Sequence, residues 1–339
     1  MKKLLLSSLL LFFFLAILNS QDTFSIVAVD PDTGEVGSAG ASCVDGAAGI
    51  GGVQIISKLI PNKGGINGQA WICVNPHVNL DLGITEMMNG SSPEEILQYL
   101  YDNDDCFSQN NNPEFRQYGI VDFDENGDAR SAAFTGSSAD DYKGHITGDN
   151  YAIQGNILLG PEILEQMEAG FLNTNGSLAE KLMAAMQGAN VPGADERCLA
   201  RGTSSTSGFL MVAQPDDEFL EPSLFLNILE VPFGQEPIDS LQTLFNEWST
   251  TSNQNIIQNN KISIYPNPTS DKINIQVLDQ TIFDELEIYN SYGQSLKSII
   301  FTDITEINTF HLGDIPTGAY LLKFKFEHEV ISIKKVIKM

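Results

Sequence analysis

QDTFSIVAVDPDTGEVGSAGASC, residues 21–43, reads as two strands joined by a tight turn. Thr23, Ser25, Val27 and Val29 alternate with Phe24, Ile26 and Ala28, a period-two run rich in β-branched side chains. Asp30, Pro31, Asp32, Thr33 and Gly34 supply the turn: proline presets φ, and glycine takes a positive φ without strain. Val36 to Cys43 then returns as a strand of small residues. Gly37, Ser38, Ala39, Gly40, Ala41 and Ser42 leave so little side chain that another element must approach this backbone closely.

The chain has 339 residues, which suggests two domains, and its 42% hydrophobic content suffices for ordinary cores. Acidic residues outnumber basic ones 44 to 18, and the excess is local: residues 21–232 hold 31 acidic and 8 basic, residues 261–339 hold 10 and 8. Such a surface argues against nucleic acid or anionic membrane as a partner and suits solubility at the cell exterior. Residues 1–20 form a secretory signal: Lys2 and Lys3, an apolar run from Leu4 to Leu18, and Ser20 as the small residue at the cut. The apolar run is short for a spanning helix, so cleavage is expected over retention, with no permanent membrane span.

Export permits disulfides, and Cys43, Cys73, Cys106 and Cys198 allow three pairings that the sequence does not choose among. Cys43 is expected to be buried or bridged rather than nucleophilic. No metal site and no cofactor motif is legible. No CxxC or Cys/His cluster is present, and Gly49-Ile50-Gly51-Gly52 lacks phosphate-loop spacing. Asp122, Asp124, Asn126 and Gly127 begin like a calcium loop but reach Ala133 where glutamate is needed, so a hairpin turn is the better reading.

Helices are expected over Asn75 to Met88, Ser91 to Tyr101, Pro161 to Phe171 and Ser177 to Gln187. Ser92 with Pro93 starts the second, and Ser177 with Glu180 has capping-box spacing. Strands are expected over Phe115 to Phe123, Ala129 to Thr135, Asn150 to Gln154, Thr206 to Val212 and Ser223 to Leu229. Strand pairs alternating with helix pairs fit an α+β domain of two packed sheets with helices outside, over residues 21–232. Residues 233–260, rich in Asn and Gln, read as a linker with a short helix from Ser240 to Trp248. Residues 261–339 read as a separate, small all-β Ig-like sandwich of seven short strands.

The first domain resembles the bacterial family catalogued as domain of unknown function 1028, of the Ntn-hydrolase-like superfamily. Thr23 to Ala28 and Asp30 to Gly34 carry the resemblance, together with Arg116-Gln117-Tyr118-Gly119, Gly144-His145, Tyr151 to Asn156 and Gly160-Pro161-Glu162. The resemblance implies a four-layer α/β/β/α sandwich and a candidate chemistry, with no established substrate. Residues 261–339 resemble the type IX secretion (type A) sorting domain. The matching residues are Tyr265-Pro266-Asn267-Pro268, Ile288-Tyr289-Asn290 with Gly293, Leu312 with Ile315 to Tyr320, and the lysine-ended Ile331 to Val336. This second resemblance implies the type IX machinery as partner and delivery through the periplasm to the medium or cell surface. A carbohydrate-binding sandwich is the weaker alternative, because the segment has no tryptophan.

An N-terminal nucleophile hydrolase attacks an acyl carbon with the side chain of its first residue, and that residue's own amine takes the proton. Thr23 fits by type and place, provided that trimming removes Gln21 and Asp22 after a cut at Ser20. Otherwise it is a plain strand residue. Gln154 and Asn156 are candidate substrate or oxyanion donors. Arg197 and Arg201 are candidate carboxylate forks, or one side of a salt bridge across the fold. His145 is a candidate substrate-binding group or a structural histidine. The expected function is amide hydrolysis on a small or peptide-like substrate; the alternative is a non-catalytic ligand-binding or surface protein on the same fold.

Overall fold

The computed structural model describes residues 23–338, apart from 75, 259–261, 278–282, 291–294, 302–306, 314, 317 and 327–328. The expected signal peptide and residues 21–22 lie outside the described residues. The chain divides into two compact units, Met1–Phe245 and Asn246–Met339.

The opening hairpin forms as read. Strands β1 (Thr23–Asp30) and β2 (Glu35–Ser42) pair antiparallel, with Thr23 opposite Ser42 and Asp30 opposite Glu35. Two short 3₁₀ turns lead to β3 (Ser57–Ile60) and β4 (Gly64–Gln69), followed by helices α1 (Val78–Asn89) and α2 (Pro93–Asp102). Next come β5 (Gln117–Phe123), β6 (Ala129–Thr135), β7 (Gly144–Gly148) and β8 (Tyr151–Gly155). Helices α3 (Glu162–Asn173) and α4 (Leu178–Gly188) precede β9 (Ser207–Ala213), β10 (Leu224–Ile228) and α5 (Pro237–Gln258).

The strands of this unit form two antiparallel sheets, in the orders β10-β9-β2-β1-β8-β7 and β3-β4-β5-β6. Strand β1 packs across the interior on β4 and β5; α4 lies on β2 and β9, α3 on β7 and β8, α1 on β4, and α2 on β6. Between the sheets sits an apolar cluster that includes Val27, Val29, Val36, Leu59, Val121, Phe209 and Met211. A second cluster, with Ile66, Leu80, Ile84, Ile96, Leu100 and Ile120, joins α1 and α2 to their sheet.

The small residues of β2 answer a close approach by α4: a Cβ at Gly37 would meet Leu182 Cδ1 at 2.5 Å. Strands β3, β4 and β7 were not expected. Strand β4 is fully buried yet glycine-rich, because a Cβ at Gly65 would meet Leu59 Cδ2 at 2.7 Å and Val27 Cγ2 at 3.0 Å. Packing selected glycine there and erased the period-two signal. Both expected capping boxes form, Ser92 with Glu95 and Ser177 with Glu180. The hydrogen bonds that Glu95 accepts at Ser92 hold its carboxyl below the usual range.

The expected linker is corrected in one respect. Its short helix is α5, which runs through Gln258. Neither glycine nor proline interrupts residues 238–258, and glutamine is a good helix former. Ile238, Leu241 and Phe245 are buried, and Glu236 anchors the start by accepting from Ser204 N (2.7 Å), Ser204 Oγ (2.5 Å) and Ile238 N (3.0 Å).

The second unit holds β11 (Ile262–Tyr265), β12 (Lys272–Val277), β13 (Glu285–Asn290), β14 (Ser295–Ile300), β15 (Ile307–His311), β16 (Gly318–Phe326) and β17 (Glu329–Lys338). They form antiparallel sheets in the orders β11-β12-β15 and β14-β13-β16-β17, around a core with Ile273, Ile275, Phe283, Leu286, Leu322 and Phe324. Lys338 Nζ donates to the carbonyls of Leu312 (2.8 Å), Gly313 (3.2 Å) and Ile315 (2.5 Å), which fixes the end of β17.

Candidate functional site

Thr23 opens β1 and is fully buried. Its N–H donates to Asn156 Oδ1 (3.2 Å), and its carbonyl accepts from Gln69 Nε2 (2.8 Å) and from the Asn156 N–H (3.2 Å). Asn156 directly follows β8, which pairs with β1, so strand register sets its side chain beside the start of β1. Asn156 therefore meets Thr23 through an accepting oxygen and a backbone donor.

Behind Thr23 lies a buried network of amides and hydroxyls. Ser25 Oγ donates to Gln69 Oε1 (2.7 Å) and accepts from Gln154 Nε2 (2.5 Å). Gln69 Nε2 also donates to Gln117 Oε1 (3.0 Å). Gln117 Nε2 in turn reaches Thr135 Oγ1 (3.1 Å) and the carbonyls of Gly144 (3.2 Å) and Gly155 (2.8 Å). Gln154 thus faces Ser25 between the sheets. A Cβ at Gly119 would collide with its Oε1, which explains the bare backbone opposite. His145 is exposed and joins the far end of the network, with Nδ1 2.9 Å from Thr135 Oγ1.

Arg197 forks onto Asp195, with Nε to Oδ1 at 3.0 Å and Nη2 to Oδ2 at 2.7 Å. Asp195 is fully buried and also accepts from Cys43 N (2.8 Å), one residue beyond the Ser42 that faces Thr23. Arg197 therefore makes a local ion pair, two residues away in sequence, while standing close to the β1–β2 strand ends. Arg201 lies apart: Nη2 reaches Val231 O at 3.3 Å and the guanidinium sits 5.1 Å from the Phe233 ring centre. Its Nε is buried without a hydrogen-bond partner. Cys43 is bonded to Cys198, and Cys73 to Cys106, which removes Cys43 as a nucleophile. Among the described residues no cluster of metal-ligating side chains occurs. No described helix is long and apolar enough to cross a membrane.

Sequence reasoning missed Gln69, Gln117 and the buried Arg116. Arg116 ion-pairs with Asp104 (2.9 Å) and donates to the carbonyls of Trp71 (2.5 Å), Cys106 (3.1 Å) and Ser108 (2.6 Å). It holds Trp71 in a left-handed conformation (φ 49°), and Trp71 Nε1 donates to Asp140 Oδ2 (2.7 Å). Asp140 O accepts from Ile157 N at 3.2 Å, so the segments that carry Gln69 and Asn156 are tied to one loop. The signal was present in the stretch Arg116-Gln117-Tyr118-Gly119, without its meaning.

Residues 23–241 match the model of a family of unknown function, DUF1028. The chain belongs to this family. The crystal structure of protein SPO2555 from Silicibacter pomeroyi, of the same family, superposes with a TM-score of 0.51 at 25% identity, covering 67% of this chain and 85% of that one. Domains 3 and 4 of rat CD4 align at 8% identity with a TM-score of 0.17, over 65% of this chain and 76% of theirs, and carry no argument. No curated protein matches. Residues 263–339 match a secretion system C-terminal sorting domain, which marks the chain for type IX secretion to the medium or the cell surface.

Proposed function

We propose that this member of the DUF1028 family is an exported N-terminal nucleophile amidohydrolase acting on a small or peptide-like amide. The observation that carries the reading is Thr23: a hydroxyl residue at the first position of a buried strand, held at N by Asn156 and at its carbonyl by Gln69 and Asn156. The packing of two sheets between helix pairs supports assignment to the four-layer α/β/β/α architecture of Ntn-hydrolase-like folds. After trimming of Gln21 and Asp22, Thr23 Oγ attacks the amide carbon and the Thr23 amine takes the hydroxyl proton. The amine's reference pKa, near 8, suits a base at neutral pH. The proton passes to the leaving amine, an ester remains on Thr23, and water releases the acid. Fixing Thr23 at both ends lowers the entropic cost of alignment.

Mass spectrometry of the N-terminal peptide of the secreted protein tests this reading. A start at Thr23 is expected, with amine release from a panel of small acyl amides that Thr23→Ala abolishes while the circular dichroism spectrum is unchanged. A start at Gln21, open or cyclised, overturns it. The unpartnered Arg201 Nε favours a second reading, a non-catalytic binder of anionic ligands.

A further inference from the structure

A cavity of about 440 Å³ opens at the other end of the first unit, within the size range of small-molecule sites. It lies between β3 and β10, the edge strands of the two sheets, under the loop 216–222. Strand register separates it from Thr23: Thr23 shares a rung with Ser42 and Ser207, whereas the lining residue Ala213 shares one with Val36 and Val29. Six residues of strand make that about 20 Å.

The floor is apolar, with Leu59, Met211 and Ala213 from the inter-sheet core. Phe225 pairs directly with Met211 and so shares its inner face, yet it remains 49% exposed. An inner-face aromatic left half open shows that the sheets part here instead of closing on their own side chains. Leu220 stands at the mouth, 59% exposed, in a left-handed conformation (φ 67°) that is unfavourable for a branched side chain.

Two carboxylates, Glu218 and Glu221, stand among the polar groups of the wall, beside Gln54, Ser57 and Lys58. Ser57 is 6% exposed, and its Oγ has no hydrogen-bond partner. Glu218 is exposed and makes no ion pair among the described residues. The one cation of the lining, Lys58, is tied to Asp81. Glu221 adds a second carboxylate at the rim.

We infer that this cavity binds a compact hydrophobic amine, its apolar body on Met211, Leu59 and Phe225 and its ammonium toward Glu218. An ammonium carries three donors and no acceptor, which complements the carboxylate of Glu218, and the chain's net charge of −26 disfavours an anionic amphiphile. The site is independent of the hydrolase reading.

The test uses the full chain with ¹³C-methyl methionine, the Met211 signal being assigned through Met211→Leu. Titration with hexylammonium chloride is expected to move the Met211 methyl saturably, with affinity about fivefold or more above that for sodium hexanoate, the ratio from one near-contact charge pair in water. Glu218→Gln is expected to bring the two ligands together, and Phe225→Ala to weaken hexylammonium binding with the circular dichroism spectrum unchanged. An unmoved Met211 methyl, or hexanoate binding as tightly as hexylammonium, overturns the inference.

Discussion

His77 uses both ring nitrogens. Nδ1 accepts from Leu80 N (3.3 Å) to cap α1, and Nε2 lies 3.1 Å from Gly68 O, which fixes the neutral tautomer with the proton on Nε2. Burial is the main cause that lowers its pKa from 6.5 to about 4, with nearby Lys58 adding to the effect and Asp81 opposing it. Protonation would turn Nδ1 into a donor facing the donor it now accepts from. Because the folded pKa is depressed, the unfolded chain binds the proton first as pH falls, so stability present above pH 6.5 is lost as pH approaches 4. The shift corresponds to roughly 3 kcal/mol. Urea midpoints measured from pH 7 to pH 4.5 are expected to fall more steeply in the parent than in His77→Asn, where asparagine caps the helix without titrating; parallel slopes would contradict the assignment. A histidine cap was not legible in the sequence, where the helix was expected to begin at Asn75. The same holds for Gln69 and Gln117, lone amides whose partners belong to another strand or the facing sheet. Thr23, Gln154 and Asn156 were singled out from stretches that carry the family resemblance, and Gln117 lies in another such stretch without having been given a role.

Among the elements, strands with a free alternation, such as β1 and β5, and helices with side-chain caps, α2 and α4, could be read directly. Strand β4 could not, since glycine and close packing replace the alternation, and β3 and β7, of four and five residues, are too short to carry a periodic signal. Helix α5 extends beyond its expected bounds because the polar composition that suggests a linker is also compatible with helix. Its buried residues Ile238, Leu241 and Phe245 bring it onto the first unit, and hydrogen bonds from Gln187 to Gln242 (3.1 Å) and from Asn190 to Asp239 (2.8 Å) tie it to the end of α4. Limited proteolysis is therefore expected to cut first between residues 246 and 261, past the docked turns. First cleavage at Phe233 to Pro237 would mean that the docking is weaker than its contacts imply. Glu236 is the side chain on which this entry depends, as it accepts three hydrogen bonds.

At the scale of the molecule, two disulfides brace the first unit, and their pairing needed the third dimension. Cys43–Cys198 spans 155 residues and Cys73–Cys106 spans 33. Loop-closure entropy gives roughly 5 kcal/mol for the longer and about 4 kcal/mol for the shorter. Replacing Cys43 and Cys198 together by serine is expected to lower the guanidinium midpoint more than replacing Cys73 and Cys106; the reverse order in equilibrium unfolding would show that native packing outweighs loop length. The export tag was legible because it rests on one contiguous stretch of sequence. The buried lining behind Thr23 has a consequence for an exported protein, which meets a medium whose acidity and salinity it does not control. Ser25, Gln69, Gln117, Gln154 and Asn156 carry carboxamides and hydroxyls that neither ionise in the ordinary range nor attract counterions. Their own charge state stays the same in brackish or fresh, acid or alkaline surroundings. The carboxylates that do respond to the weather outside are mostly on the surface, where their titration alters solubility and leaves that lining as it was.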